Sequence, residues 1–388
     1  MHKEDILNNS KKDEWIVKDD VSFVATVYNE EDSMPAFLKS LMYQKLLPGE
    51  IVIVDGGSVD RTLKVAVDFF KNKIRGIEST IVSARMVKDD ALDSCSDGNL
   101  VFSSEIFFRR SKDISSYDNK EEVKIYVKII EKKGANIPQG RNIAIRNTKN
   151  EIICVSDAGC ILERNWIEEI TKSYSSNSCS VVGGFNCPAC SNLLERCLAM
   201  CIMPEKKEIK RSKFMPSSRN ISFKKDVWRS TGGYPENMDY GEDMKFNFNI
   251  RDKGFVIKFN PDAVVYWKMR KDMLQIFRQF FRYAKGDAKG RMYLQRHLIR
   301  FASFIFLFAV LAAAFGLNKW FLAVLVPLFA GYVFKPYRRL QFIWGMPCGA
   351  KVKKIGRLLS IIFVPFLLFY IDLAKSFGYI YGLAKMKK

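Results

Sequence analysis

The sequence predicts an α/β protein, an open doubly wound sheet with helices on both faces, followed by an apolar helical region. Three observations predict it. Short apolar runs alternate with helix-period segments between Val21 and Phe185. Several of those runs end on Asn or Asp. Residues 299–388 contain long stretches without charge.

The elements follow in order. Val21–Val27 is an apolar, β-rich strand, followed by Tyr28-Asn29-Glu30-Glu31. Met34, Phe37, Leu38, Leu41 and Met42 then repeat at helical spacing and predict one buried helix face. Pro48-Gly49 reads as a break, and Glu50–Val54 as a second strand closed by Asp55-Gly56-Gly57-Ser58. A helix is expected from near Val59. Residues 83–120 are polar and read as an insertion or mobile loop. Strand character resumes at Val123–Ile130, Gly134–Asn142 turns into a helix, and Glu151–Ser156 is a strand ending at Asp157-Ala158-Gly159. A helix from Glu163 and an apolar strand Ser180–Phe185 complete the alternation.

The chain has 388 residues, enough for one large or two ordinary domains, and 48% are hydrophobic. Its 62 basic and 42 acidic residues leave a net charge of +20. Such a balance calls for a polyanionic partner. The charge gathers beside the apolar segments: Lys285, Lys289, Arg291, Arg296 and Arg300 before them, and Lys335, Arg338, Arg339, Lys351, Lys353, Lys354 and Arg357 within them. That placement favours anionic membrane lipid over nucleic acid. The polar stretch Met1–Asp20 has no apolar core of the kind a secretory signal needs. A reducing cytosolic setting with free thiols is expected. Cys187, Cys190, Cys197 and Cys201 read as packing thiols in preference to a metal site, since no histidine is near them.

Phe301–Leu317, Trp320–Phe334 and Leu358–Ile371 are apolar runs. The first is long enough to span a bilayer, which takes roughly 20 residues. The second is short. The third spans only by continuing through Asp372 and Lys375, which at i and i+3 would neutralise each other. Both basic flanks of the first two runs predict a cytoplasmic N-terminal domain on a multi-pass cell-membrane protein. Met269–Arg296, basic and aromatic, reads as amphipathic helix along the membrane surface.

In a parallel sheet the strand C-termini share one edge, and ligands collect there. Asn29, Glu30, Glu31, Asp55 and Asp157 are therefore expected to face one pocket. Asp55 reads either as a turn cap or as a ligand contact, and Gly56 lets a ligand approach the backbone. Gly140-Arg141-Asn142 opens a helix beside them, either as a phosphate site or as a surface ion pair. Glu242-Asp243 opens another, either as dipole partners or as a general base.

Taken together, VATVYNEE, IVIVDGGSVDRT, GRNIAIRNT, VSDAGC, SSRNISFKKDVWRSTGGYPE, GEDMKF and QFFRY, in this order over residues 21–290, resemble the inverting family 2 glycosyltransferases of GT-A fold. The resemblance implies a Rossmann-like mixed sheet that binds a nucleotide sugar. It implies a polar segment at 1–20, a catalytic domain at 21–265, interface helices at 266–298 and a membrane region at 299–388. Asn29, Glu30, Asp55, Gly56, Arg141, Asn142 and Asp157 would line the donor site. Asp157 would be the first acid of the metal-binding D-x-D element, holding Mg²⁺ or Mn²⁺. Asp243 would be the catalytic base, with Glu242 beside it. Gln279, Arg282 and Tyr283 look like the Q-x-x-R-W element, with Tyr in place of Trp, and with Arg219 and Asn220 they would serve the acceptor and diphosphate side. The donor would be a UDP-, GDP- or dTDP-sugar, and the acceptor lipid-linked or another membrane-proximal saccharide. A polymerising synthase and an inactive nucleotide-sugar-binding scaffold are the alternative readings.

Two departures stand out. The second acid of D-x-D is Gly159. The stretch Val264-Val265-Tyr266-Trp267, where relatives often carry a His, has none.

Overall fold

The computed structural model describes residues 16–73, 81–86, 99–109, 122–176, 179–346 and 354–386. It divides into two compact units. One contains Ser10–Cys187 and Lys210–Trp267, the other Pro188–Ile209 and Lys268–Lys388.

The first unit is built on a ten-stranded mixed sheet. In chain order its elements are β1 (Ile16–Val27), α1 (Met34–Met42), β2 (Leu46–Asp55), α2 (Thr62–Asp68), β3 (Ile81–Met86), β4 (Asn99–Arg109), β5 (Glu122–Glu131), α3 (Ile137–Arg146), β6 (Ile152–Val155), β7 (Cys160–Leu162), α4 (Trp166–Thr171) and β8 (Val181–Ala189). After α5 (Leu193–Ile202), which packs in the second unit, come β9 (Ile221–Lys224), α6 (Lys225–Ser230), α7 (Glu242–Asp252) and β10 (Ile257–Lys268).

The strand order is β3-β4-β5-β2-β1-β6-β9-β8-β10-β7. The centre, β5-β2-β1-β6, is parallel, and antiparallel pairs flank it on both sides. Successive residues of the central strands face opposite sides, as the pleat requires. Phe23, Ala25, Ile51 and Ile53 join one core with Phe37 and Trp166, while Val24, Val52 and Val54 join the other with Ile143, Phe223 and Phe246. Burial on both faces is why these strands read as unbroken apolar runs.

Three expectations are corrected here. Pro48-Gly49 does not break the chain, because β2 runs through it, with Pro48 opposite Lys18 and a register shift absorbing the irregularity. A side chain at Gly49 would meet the Asp19 backbone at 2.8 Å, so the close approach needs glycine. Within 83–120, β3 and β4 extend the sheet where a loop was expected; residues 87–98 and 110–121 lie outside the described residues. Residues 188–209, expected in the catalytic domain, pack with the helical unit. There Arg196 donates to the Ile343 carbonyl at 3.0 Å and lies over Trp344, and Arg339 pairs with Glu208 at 2.7 Å.

The helical unit adds α8 (Met273–Lys289), α9 (Leu294–Gly316), α10 (Leu325–Arg338), α11 (Leu340–Gly345) and α12 (Lys354–Met386). Leu294–Gly316, Lys319–Gly345 and Ile355–Met386 are long and apolar enough to cross a membrane. Helix α12 passes Asp372 and Lys375 without interruption. The direct ion pair of Asp372 is not with Lys375. Asp372 pairs with Arg300 at 2.8 Å and accepts from Tyr332 at 2.8 Å, while Lys375 lies over the Phe280 ring. Helix α12 also approaches α8 closely: a Cβ at Gly378 would fall 2.1 Å from the Phe281 carbonyl oxygen, and one at Gly382 2.7 Å from Ala288 Cβ.

Candidate active site

The expected shared edge exists. Val27 at the end of β1 pairs with Asp55 at the end of β2, and β1 also runs parallel to β6, which leads into Asp157. Backbone bonds knit the loops beyond these ends. The Gly56 amide donates to Val27 and the Gly134 amide to Gly56, both at 3.0 Å. A Cβ at Gly56 would sit 2.8 Å from the Ala135 carbonyl oxygen, so that turn admits only glycine.

Asp55 is fully buried. Its Oδ1 accepts from the amides of Gly57 at 2.7 Å and Ser58 at 2.6 Å, which is the capping role. Its Oδ2 is buried and has no protein partner. An orphaned carboxylate oxygen at a strand end is an acceptor waiting for a donor, since burying it unpaired costs about 1–3 kcal/mol. The capping reading of Asp55 is thus met by Oδ1, and Oδ2 is left without a protein donor.

Asn29 adopts φ 54, a left-handed conformation Asn tolerates. Its Oδ1 accepts from Val59 N at 3.0 Å, and its own amide donates to Ser58 Oγ at 2.9 Å. Glu30 binds the next helix start: its amide donates to Thr62 Oγ1 at 2.7 Å, and Ser33 donates to its carboxylate. These residues lock the β1 and β2 loops together.

The centre of the site is an arginine between acids. Helix α3 begins with an Asn136 capping box, which fixes its first turn and aims Arg141 inward. Arg141 is buried; Nη1 donates to Glu242 at 2.7 Å and Nη2 to Asp157 at 2.9 Å, while the guanidinium lies over the Tyr234 ring. Burial works against its charge, yet Asp157 and Glu242 hold it and raise its pKa. Burial, with Asp243 beside it, pushes the Glu242 carboxyl up to about 7 against the pull of Arg141. Asp243 is half-buried at the start of α7.

Asp157 carries a second cation. Arg219 Nε lies 3.9 Å from Oδ2, and its guanidinium lies over the Trp267 ring, 4.0 Å from the centroid. Trp267 sits in the stretch that lacks a His, and sequence reasoning missed the pairing. The signal was a tryptophan where a metal ligand was sought.

Several expected ligand contacts are structural. Asn142 is saturated: Nδ2 donates to the Tyr234 carbonyl and to Glu236, and Oδ1 accepts from Trp228 Nε1 and Tyr234 N. It holds the Gly232–Glu236 turn, whose Gly233 has φ +74. Asn220 is also engaged at both side-chain polar atoms, accepting from Trp166 and donating to the Phe185 and Ala263 carbonyls. Arg141 is an internal bridge rather than an exposed phosphate anchor. Gln279, Arg282 and Tyr283 all lie on α8 in the helical unit, where Gln279 donates to Tyr283 OH at 2.9 Å and accepts from Arg270 at 3.3 Å. In that unit burial pushes the Cys197 thiol up to about 12.

The residues at Asp157 do not fit a resident divalent ion. Among the described residues no group of three His, Cys, Asp or Glu side chains is assembled that could hold one. Gly159 contributes no ligand, and both Asp157 oxygens face guanidinium nitrogens.

Residues 22–82 match the sequence description of glycosyl transferase family 2, and residues 200–371 that of glycosyl transferase family group 2. No curated protein matches the chain in sequence. Among solved structures, a mannosyltransferase from Pyrobaculum calidifontis in complex with GDP-Man and Mn²⁺ is similar over 99% of this chain and 91% of its own, with 14% identity and a TM-score of 0.48. S. aureus TarS 1-349 is similar over 95% of this chain and 91% of its own, with 14% identity and a TM-score of 0.44.

Proposed function

With the chain a family 2 glycosyltransferase of GT-A fold, we propose that it moves a sugar from a nucleotide-diphosphate sugar to a lipid-linked or membrane-proximal acceptor, with inversion. The observation that carries the reading is Asp55. Its capped Oδ1 and bare Oδ2 suit a nucleotide base, whose ring N–H would fill the vacant acceptor. The sugar and diphosphate then extend along the strand-end edge toward Asp157.

Asp243 acts as the general base. It takes the acceptor hydroxyl proton while that oxygen attacks the anomeric carbon from the face opposite the diphosphate. One C–O bond forms as the bond to the diphosphate oxygen breaks, so the anomeric configuration inverts. Arg141 ties Asp157 on the donor side to Glu242 on α7 and so holds Asp243 in register with the donor. Gln279, Arg282 and Tyr283 are assigned to the acceptor side by their motif alone.

Three helices long enough to span and the basic α8 before them support a membrane-proximal acceptor. The basic flanks of the first two spans favour a cytoplasmic catalytic unit.

Asp243→Asn tests the base. Turnover should fall by about 10²–10⁴-fold with nucleoside diphosphate affinity kept. A folded variant with wild-type turnover would remove the assignment, and a retained anomeric configuration in the product would reject the single displacement.

A further inference from the structure

We propose that the donor diphosphate is held by Arg219, stacked on Trp267 and facing Asp157, and that the enzyme transfers sugar without a divalent metal. The inference rests on the glycosyltransferase reading and deepens it at one site.

Three observations bear on the surroundings of Asp157. The acid that would complete the metal element is Gly159, and nothing lies within 4 Å of where its Cβ would be. The place therefore has room for an acid but lacks one. The stretch 264–267, where a histidine was sought, ends on Trp267, which cannot ligate a cation but presents a ring face to one. The Arg219 guanidinium lies 4.0 Å from the centroid of that ring, with its Nε 3.9 Å from Asp157 Oδ2.

The chemistry required there is positive charge for the departing diphosphate. A guanidinium supplies it permanently, with a planar fork of donors that matches phosphate oxygens. Stacking on Trp267 fixes the plane of that fork. Asp157 then has a different duty from metal ligation. Its Oδ1 is bound to Arg141, and its Oδ2 attracts Arg219 from the other side, so it positions the cation rather than chelating an ion. Arg141 cannot serve as the phosphate cation itself, because it is buried with Glu242 and Asp157 on its terminal nitrogens. Arg219 is the less buried of the two arginines.

The test uses the full chain in nanodiscs of anionic lipid. UDP, GDP and dTDP are titrated by calorimetry in excess EDTA and again in Mn²⁺, and nucleoside diphosphate release from the corresponding sugars is followed in both. We expect one nucleotide to bind, and its sugar to turn over, within about twofold in the two conditions. Arg219→Ala should lose about 100-fold in kcat/KM, and Arg219→Lys about tenfold, because a point charge replaces the fork. Loss of binding and turnover in EDTA, both restored by Mn²⁺, overturns the proposal and leaves the transferase reading standing. Metal-free binding that Arg219→Ala abolishes, without turnover of any donor, supports the diphosphate site and overturns the transferase reading. If Arg219→Ala does not fold, the EDTA comparison and Arg219→Lys decide.

Discussion

Each unit of this protein sets an arginine among partners from neighbouring elements, and the two clusters do different work. In the α/β unit Arg141 joins Asp157 and Glu242, bringing α3, the loop after β6 and the start of α7 to one point. In the helical unit Arg300 joins Asp372 and His297, and His297 reaches Asp287 at 3.0 Å while stacking on Tyr379. Tyr332 closes that chain on Asp372. The first cluster is graded: the Arg141 side chain is 4% exposed and Asp157 31%, so it opens at one end toward the ligand edge. The second links α8, α9, α10 and α12 and lets an apolar helix carry an aspartate. One is a tether for a reaction site, the other a fastener among helices.

Arg141→Ala should have the largest effect. It strands two carboxylates, one of them buried, and should cost about 3–5 kcal/mol of stability, read as a fall in melting temperature. Transfer should fall with it, because α7 loses its tie to Asp157. Arg300→Ala should cost less, about 1–2 kcal/mol, since unfolded helices in a bilayer find other partners. It should leave nucleoside diphosphate affinity unchanged in calorimetry. Equal losses of affinity in the two variants would break the distinction between tether and fastener.

Glu242→Gln sharpens it through pH. The folded pKa of Glu242, about 7, stands above its ordinary 4.5. The folded chain therefore keeps a proton through that window which the unfolded chain has released. Stability from this group is full below about 4.5 and is lost as pH rises through about 7. The ionised form costs on the order of 3 kcal/mol at pH 8 relative to acid conditions. Melting temperatures of the wild type should fall between pH 5 and pH 8 relative to Glu242→Gln, and parallel curves would refute the shift. Gly159→Asp should have the smallest effect on stability, within about 0.5 kcal/mol, because the position is open. A large drop in its melting temperature would mean the edge is closed.

Much of the fold was legible in the sequence because burial on both faces turns central strands into apolar runs, and β1, β2, β5 and β6 fall where those runs lie. Helix α1 was legible from its periodicity for the same reason. Pro48-Gly49 misled because a breaker dipeptide is read locally, whereas the register shift against Lys18 and Ser22 that accommodates it is a property of the pair of strands. Asn142 and Asn220 misled in the opposite direction. A polar amide beside a site looks like a ligand contact until its partners are counted, and those partners come from positions such as Glu236 and Ala263, far along the chain.

The sequence by itself determined the alternation of strands and helices, the acids at the strand ends, the family motifs and the apolar helices, because each is written in neighbouring residues. Tertiary structure alone decided which charges meet. Asp372 chose Arg300 over Lys375, three residues away, and Arg219 came to rest between Asp157 and Trp267. Coulomb energy and stacking fall steeply with distance, and the distances between such groups are set by the packing of the sheet and helices that carry them.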